Sequence, residues 1–171
     1  MFNRTSFISR RTVEQVGVNS LSASTVLISI NSPIDTPDYR ATKLDENAWS
    51  KILRLEFHDA DQSGYSIDHR VGLLEHNQRL LFNDAHAEQV LKFLRSTQLD
   101  HELVVVNCEG GISRSAAVAK FIAMIYRLEF PEGYMLYNRH VFSTLLKFFN
   151  RCLFGEGPIN ISELPGGMHH D

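Results

Sequence analysis

The sequence predicts an α/β fold: a mainly parallel central sheet with helices on both faces. Three observations lead there. Thr25-Val-Leu-Ile-Ser-Ile30 and Leu103-Val-Val-Val106 are short, β-branched and apolar, as strands buried on both faces are. Segments with apolar residues at helical spacing alternate with such runs, which is the order of a parallel sheet. The ten residues Val106-Asn-Cys-Glu-Gly-Gly-Ile-Ser-Arg-Ser115 join one buried strand to an apolar stretch, Ala116 to Ile125, through a loop with two glycines.

Taken in order, residues 1–20 read as polar and mixed, with Arg4, Arg10 and Arg11 and a short helix over Val13 to Val16. The strand Thr25 to Ile30 is terminated by Asn31-Ser-Pro33, and residues 35–46 are turn-rich. Ile52-Leu-Arg-Leu-Glu-Phe57 alternates and predicts a second strand, ending at His58-Asp59-Ala60-Asp61. Residues 62–83 read as loop with one helix. Asp84 is expected to cap a helix whose apolar positions are Ala87, Val90, Leu91 and Leu94. The stretch after the loop, broken only by Lys120, predicts a helix from about Ser113 to Arg127, buried nearly all round. Pro131 suits the first turn of a last helical region, with Val141, Phe142, Leu145, Leu146, Phe149 and Cys152 on one stripe. Residues 155–171, bearing Gly and Pro, read as a tail.

The 171 residues suffice for one domain, residues 1–171 with a core over about 25–154. A hydrophobic content of 43% requires no metal or disulfide staple. The net charge of −3 excludes a broad basic footprint for nucleic acid or an anionic membrane surface. No stretch approaches the roughly 18 apolar residues of a membrane span, and the first residues lack the apolar core of a signal peptide. Two cysteines, Cys108 and Cys152, are too few for a disulfide framework. These features lead us to expect a cytoplasmic protein with reduced thiols and no cofactor.

The loop carries the chemistry. Sites in parallel sheets form at the carboxyl ends of strands, and Cys108 and Asp59 both fall at such ends. A thiol on a strand-loop-helix turn faces unpaired N–H groups and the positive end of the helix dipole, which favour the thiolate and an anionic ligand. The amides of Glu109, Gly110, Gly111, Ile112, Ser113 and Arg114 are expected to form a nest for phosphate oxygens. Arg114 has the planar fork to hold two of those oxygens. The two glycines allow tight geometry and close approach to a ligand.

Cys108-Glu-Gly-Gly-Ile-Ser-Arg114 followed by Ser115 resembles the Cys-x5-Arg-Ser/Thr signature of the protein tyrosine phosphatase superfamily. It is most similar to the compact dual-specificity-type and bacterial tyrosine-phosphatase-like proteins. The resemblance implies Cys108 as nucleophile, Arg114 as phosphate ligand, and Ser115 as donor to the sulfur. It also implies an upstream aspartate as general acid, for which Asp59 has the expected place after a strand and Asp61 is the alternative. The implied substrate is a phosphorylated protein or peptide, with no metal and no partner of nucleic acid or membrane. One position departs: members usually have His before the cysteine, and this chain has Asn107. Asn107 is expected to orient the loop by hydrogen bonding but adds no charge to favour the thiolate.

Plainer readings compete. A cysteine can be simple core, an arginine a surface ion pair, and an aspartate a strand-ending turn residue. Ser115 can be an ordinary first-turn residue, and Cys152 fits a core stripe better than a resolving thiol. Glu109 would repel highly anionic head groups, which favours a phosphorylated side chain. A non-catalytic phosphate-binding module and a sulfur-transferring enzyme are the alternative functions.

Overall fold

In the computed structural model the described residues are 1–17, 24–33, 40–60 and 81–154. Four strands form one sheet: β1 (Arg4–Ser9), β2 (Thr25–Asn31), β3 (Lys51–Glu56) and β4 (Leu103–Cys108). Their spatial order is β1-β4-β2-β3 and every pair is parallel. The α/β fold class read from the sequence is therefore what the chain adopts. The central pair, β4 and β2, is almost wholly buried, which is why those two segments are continuous apolar runs.

Helices α2 (Asp84–Thr97), α3 (Arg114–Tyr126) and α4 (Arg139–Leu153) cover one face. Their apolar sides meet Val26, Ile28 and Ile30 of β2 and Val104, Val106 and Cys108 of β4. The other face is thinner. There α1 (Arg10–Val13) and a 3-10 turn at Glu46–Ala48 bring Val13, Ala48 and Trp49 onto Leu27 and Val105. Helix α3 packs on β1 and β4 and against α4, so it is enclosed on most sides, as its composition predicts. On α4 the buried stripe is Val141, Leu145, Phe148 and Cys152. Phe142, Leu146 and Phe149, expected on that stripe, are only half-buried at its margins.

Four details differ from the sequence reading. The first is β1 itself, since residues 1–20 read as polar with no strand. As an edge strand it needs only partial burial, and Phe7 and Ile8 supply it. The second is α1, which starts at Arg10 because the Ser9 side chain accepts the Thr12 N–H; Val16 lies beyond it. Thirdly, α2 is capped by Asn83 rather than Asp84. The Asn83 side chain accepts the Ala85 and His86 N–H groups, and His86 Nδ1 accepts the Asn83 N–H at 3.2 Å, a reciprocal box. Lastly, Pro131 lies in a turn, its carbonyl accepting the Tyr134 N–H. Helix α4 begins at Arg139, with the Asn138 side chain capping Val141. Asp61 and the tail at 155–171 lie outside the described residues, as does most of 62–83.

The end of β3 is fastened by aromatic packing. Phe57 meets Phe82 edge-on at 4.9 Å, and both rings lie 5.5 Å from the His86 ring. Burying a side chain like Phe57 stabilises by roughly 1.5–3 kcal/mol. That anchor fixes the chain two residues before Asp59.

Candidate active site

Parallel pairing sets the strand ends abreast: Ser9 is opposite Cys108, and Asn31 is opposite Glu56. Side chains that follow these strands therefore gather along one edge of the sheet. Cys108 is the last residue of β4, and the chain turns through Glu109–Ser113 into α3.

Gly111 shows why the turn has its sequence. Its φ is +67°, and a Cβ there would lie 2.3 Å from the Ser9 nitrogen and 2.4 Å from the Ile8 carbonyl carbon. Only glycine fits, because the loop rests directly on the backbone at the end of β1. Gly110 is different: a Cβ would meet only the Ile112 side chain, at 3.8 Å.

Cys108 is buried at the base of the turn, with Sγ 3.1 Å from Ser115 Oγ. Ser115 is on the first turn of α3 and fully buried. Ser113 holds the N-cap position of α3 but makes no cap bond. Its hydroxyl instead donates to Asp59 Oδ1 at 2.7 Å. The first N–H groups of α3 are thus without a side-chain cap, at the helix end that favours an anion.

Arg114 is also buried. Its Nη1 donates to the Phe57 carbonyl at 2.9 Å and to Ser32 Oγ at 3.1 Å, while Nε lies 3.8 Å from Asp59 Oδ2. The guanidinium is therefore located by the ends of β2 and β3. Asp59 is about a quarter exposed and receives a second hydrogen bond on Oδ1 from Asn138 Nδ2, at 2.8 Å. Asn138 also donates its backbone N–H to the Ser113 carbonyl. One carboxylate thereby ties the loop, the β3 end and the start of α4 together.

Five sequence-selected residues, Cys108, Ser113, Arg114, Ser115 and Asp59, come together at this edge. Glu109, Gly110 and Ile112 form its exposed outer rim. Cys152 is in the core on α4, and Asp84 pairs with Arg151 on the surface. Among the described residues no group of three or more His, Cys, Asp or Glu side chains could hold a metal ion, and no helix is long and apolar enough to cross a membrane. Both cysteines are free thiols.

Asn107 does not act as the sequence suggested. Both polar atoms of its side chain are buried without a hydrogen-bond partner among the described residues. Side chains alternate along a strand, so when Cys108 faces α3, Asn107 faces the opposite layer, beside Ser29 in register. It does not bond the loop.

Several participants escaped the sequence reading. Ser32 and Asn138 bind Arg114 and Asp59. Tyr134 donates its hydroxyl to the Ile112 carbonyl at 2.8 Å; burial, then the nearby Cys108 charge, push that phenol above its ordinary range. Arg10 pairs with Glu109. An Asn three residues before Val141 is a legible cap signal; the other three carry none, since only the fold brings them near.

No protein-family model and no curated protein matches the sequence. Among solved structures the chain is similar to Tk-PTP, in a crystal structure of its active form. That similarity covers 97% of this chain and 82% of the other, at 13% identity and a TM-score of 0.41.

Proposed function

We propose, from the residues and distances of the site itself, that this chain is a cysteine-dependent phosphatase. Its substrates would be phosphotyrosine side chains of proteins or peptides and, as for a dual-specificity enzyme, phosphoserine and phosphothreonine. The observation that carries this reading is the grouping of Cys108 Sγ with Ser115 Oγ at 3.1 Å, beneath a turn flanked by Arg114 and Asp59. A buried structural thiol requires none of these neighbours.

In the proposed reaction the Cys108 thiolate attacks phosphorus while the bond to the leaving oxygen breaks, giving a cysteinyl-phosphate. Asp59 protonates the departing oxygen. Water then attacks phosphorus and gives its proton back to Asp59 as the P–S bond breaks. Ser115 donates to the departing sulfur, restoring the thiolate. Arg114 and the loop amides hold the three equatorial oxygens, where negative charge accumulates. The free thiols suit a reducing compartment such as the cytoplasm.

The test is hydrolysis of p-nitrophenyl phosphate without added metal, inhibited by vanadate and abolished in Cys108→Ser. Arg114→Lys should fold normally and lose most activity. Absence of turnover by folded protein throughout pH 5 to 8 overturns the proposal. A second reading, a phosphate-binding module without efficient turnover, is favoured by Asp59, one of whose oxygens already receives two hydrogen bonds. Tight phosphopeptide binding by the unmodified protein, with negligible hydrolysis, would select it.

A further inference from the structure

The loop contains an acidic side chain, Glu109, immediately after the nucleophilic candidate. A carboxylate there opposes the binding of a phosphate dianion, and the structure contains a device against it. Because Ser9 and Cys108 are in register, the residues following them run side by side. Arg10 donates its backbone N–H to the Glu109 carbonyl at 3.2 Å, and its guanidinium forms an ion pair with the Glu109 carboxylate.

The environment of Arg10 makes this pair unusual for a surface contact. The Arg10 side chain is only 8% exposed, whereas Glu109 is 55% exposed. Arg10 Nε is buried with no hydrogen-bond partner. Desolvating a guanidinium is costly, and pairing it with a half-exposed carboxylate recovers little in stability. Among the described residues Glu14 is another acid near Arg10, and it is already engaged: it accepts the Lys43 N–H and pairs with Arg40. The hydrogen bond from the Lys43 backbone N–H, then the Arg40 and Arg10 charges, hold the Glu14 carboxyl below its usual range.

We propose that Arg10 is a positioning residue for the phosphate loop: it draws the Glu109 side chain toward α1 and neutralises it, so that the cradle accepts a dianion. This rests on the proposed function, and it makes part of the site both β1, which the sequence did not announce, and α1, which begins three residues earlier than the sequence suggests. Arg10 acts through Glu109 and touches no substrate.

The experiment is a charge cycle read by equilibrium binding of inorganic phosphate and by KM and kcat for p-nitrophenyl phosphate. Arg10→Gln should weaken phosphate binding and raise KM by about tenfold, the order expected for one uncompensated carboxylate beside a dianion in a wet site, with kcat nearly constant. Glu109→Gln added to Arg10→Gln should restore most of that loss, and Arg10→Lys alone should lose little. A merely structural Arg10 would give a defect that Glu109→Gln leaves in place, and that outcome overturns the proposal. So does an Arg10→Gln protein with unaltered affinity. Binding needs no turnover, so the two readings fail separately. An unmodified protein that binds no phosphate refutes the functional reading, whereas one that binds it independently of Arg10 refutes only this inference.

Discussion

Replacing Gly111 by alanine tests the architecture of the loop most directly. The residue sits at φ +67°, where a Cβ approaches the adjacent carbonyl and costs roughly 1–2 kcal/mol. The added methyl would also stand 2.3 Å from the Ser9 nitrogen, 2.4 Å from the Ile8 carbonyl carbon and 2.8 Å from its oxygen. These are backbone atoms of a strand paired to β4, so no side chain can swing aside. Overpacking of this kind costs about 1–3 kcal/mol. The two penalties together predict a loss of about 2–5 kcal/mol, or release of the loop from β1 with loss of phosphate binding. Gly110→Ala supplies the internal control: its Cβ meets only Ile112 side-chain atoms at ordinary distance, and stability should change by less than about 0.5 kcal/mol. Urea unfolding at constant m value, with phosphate titration of each folded variant, reads both effects. A Gly111→Ala protein as stable as the parent, binding phosphate equally well, would refute the claim that the loop is seated on the β1 backbone.

Three further outcomes follow from the site. Ser115→Ala should lower kcat about 10- to 100-fold with little change in KM, the worth of one charge-assisted hydrogen bond to sulfur; steady-state kinetics with an aryl phosphate checks this. Asp59→Asn should slow substrates with poor leaving groups by at least about 100-fold, and a rate independent of the substitution would move the acid role to Asp61. The His86 ring is half-buried against Phe57 and Phe82, and that partial burial lowers its pKa below the ordinary value, a hydrogen bond to the Glu56 backbone acting in the opposite direction. With the folded value depressed, the His86 contribution is full above about pH 6.5 and is lost as pH falls through the folded value, at no more than about 1.4 kcal/mol per pH unit. His86→Gln, which keeps a side chain suited to the capping box, should flatten that acid slope in urea midpoints measured between pH 5 and 7.5.

Local chemistry made much of this protein legible in its sequence. The apolar runs of β2 and β4 announce themselves because strands buried on both faces admit no alternation, and α3 because a helix enclosed on most sides has no polar stripe. The loop is legible for a related reason. A thiol, glycines and an arginine in one short turn all serve a backbone conformation formed within a few residues of chain. The aspartate after β3 could be nominated from its position past a strand, but nothing in the chain ties it to Ser113, 54 residues away.

What the tertiary structure alone decided concerns edges and partners. Strand β1 is half-polar because an edge strand is covered on fewer sides, so its sequence lacks the signature that identifies β2 and β4. Its pairing with β4 makes Gly111 indispensable while leaving Gly110 replaceable, although the two glycines are neighbours in an identical-looking turn. The same pairing brings Arg10 to Glu109, 99 residues apart in the chain, and strand alternation turns Asn107 away from the loop that it precedes. Residue types specify which conformations and charges are available at each point. Which of them meet depends on long-range strand register, and that is a property of the folded sheet rather than of any segment within it.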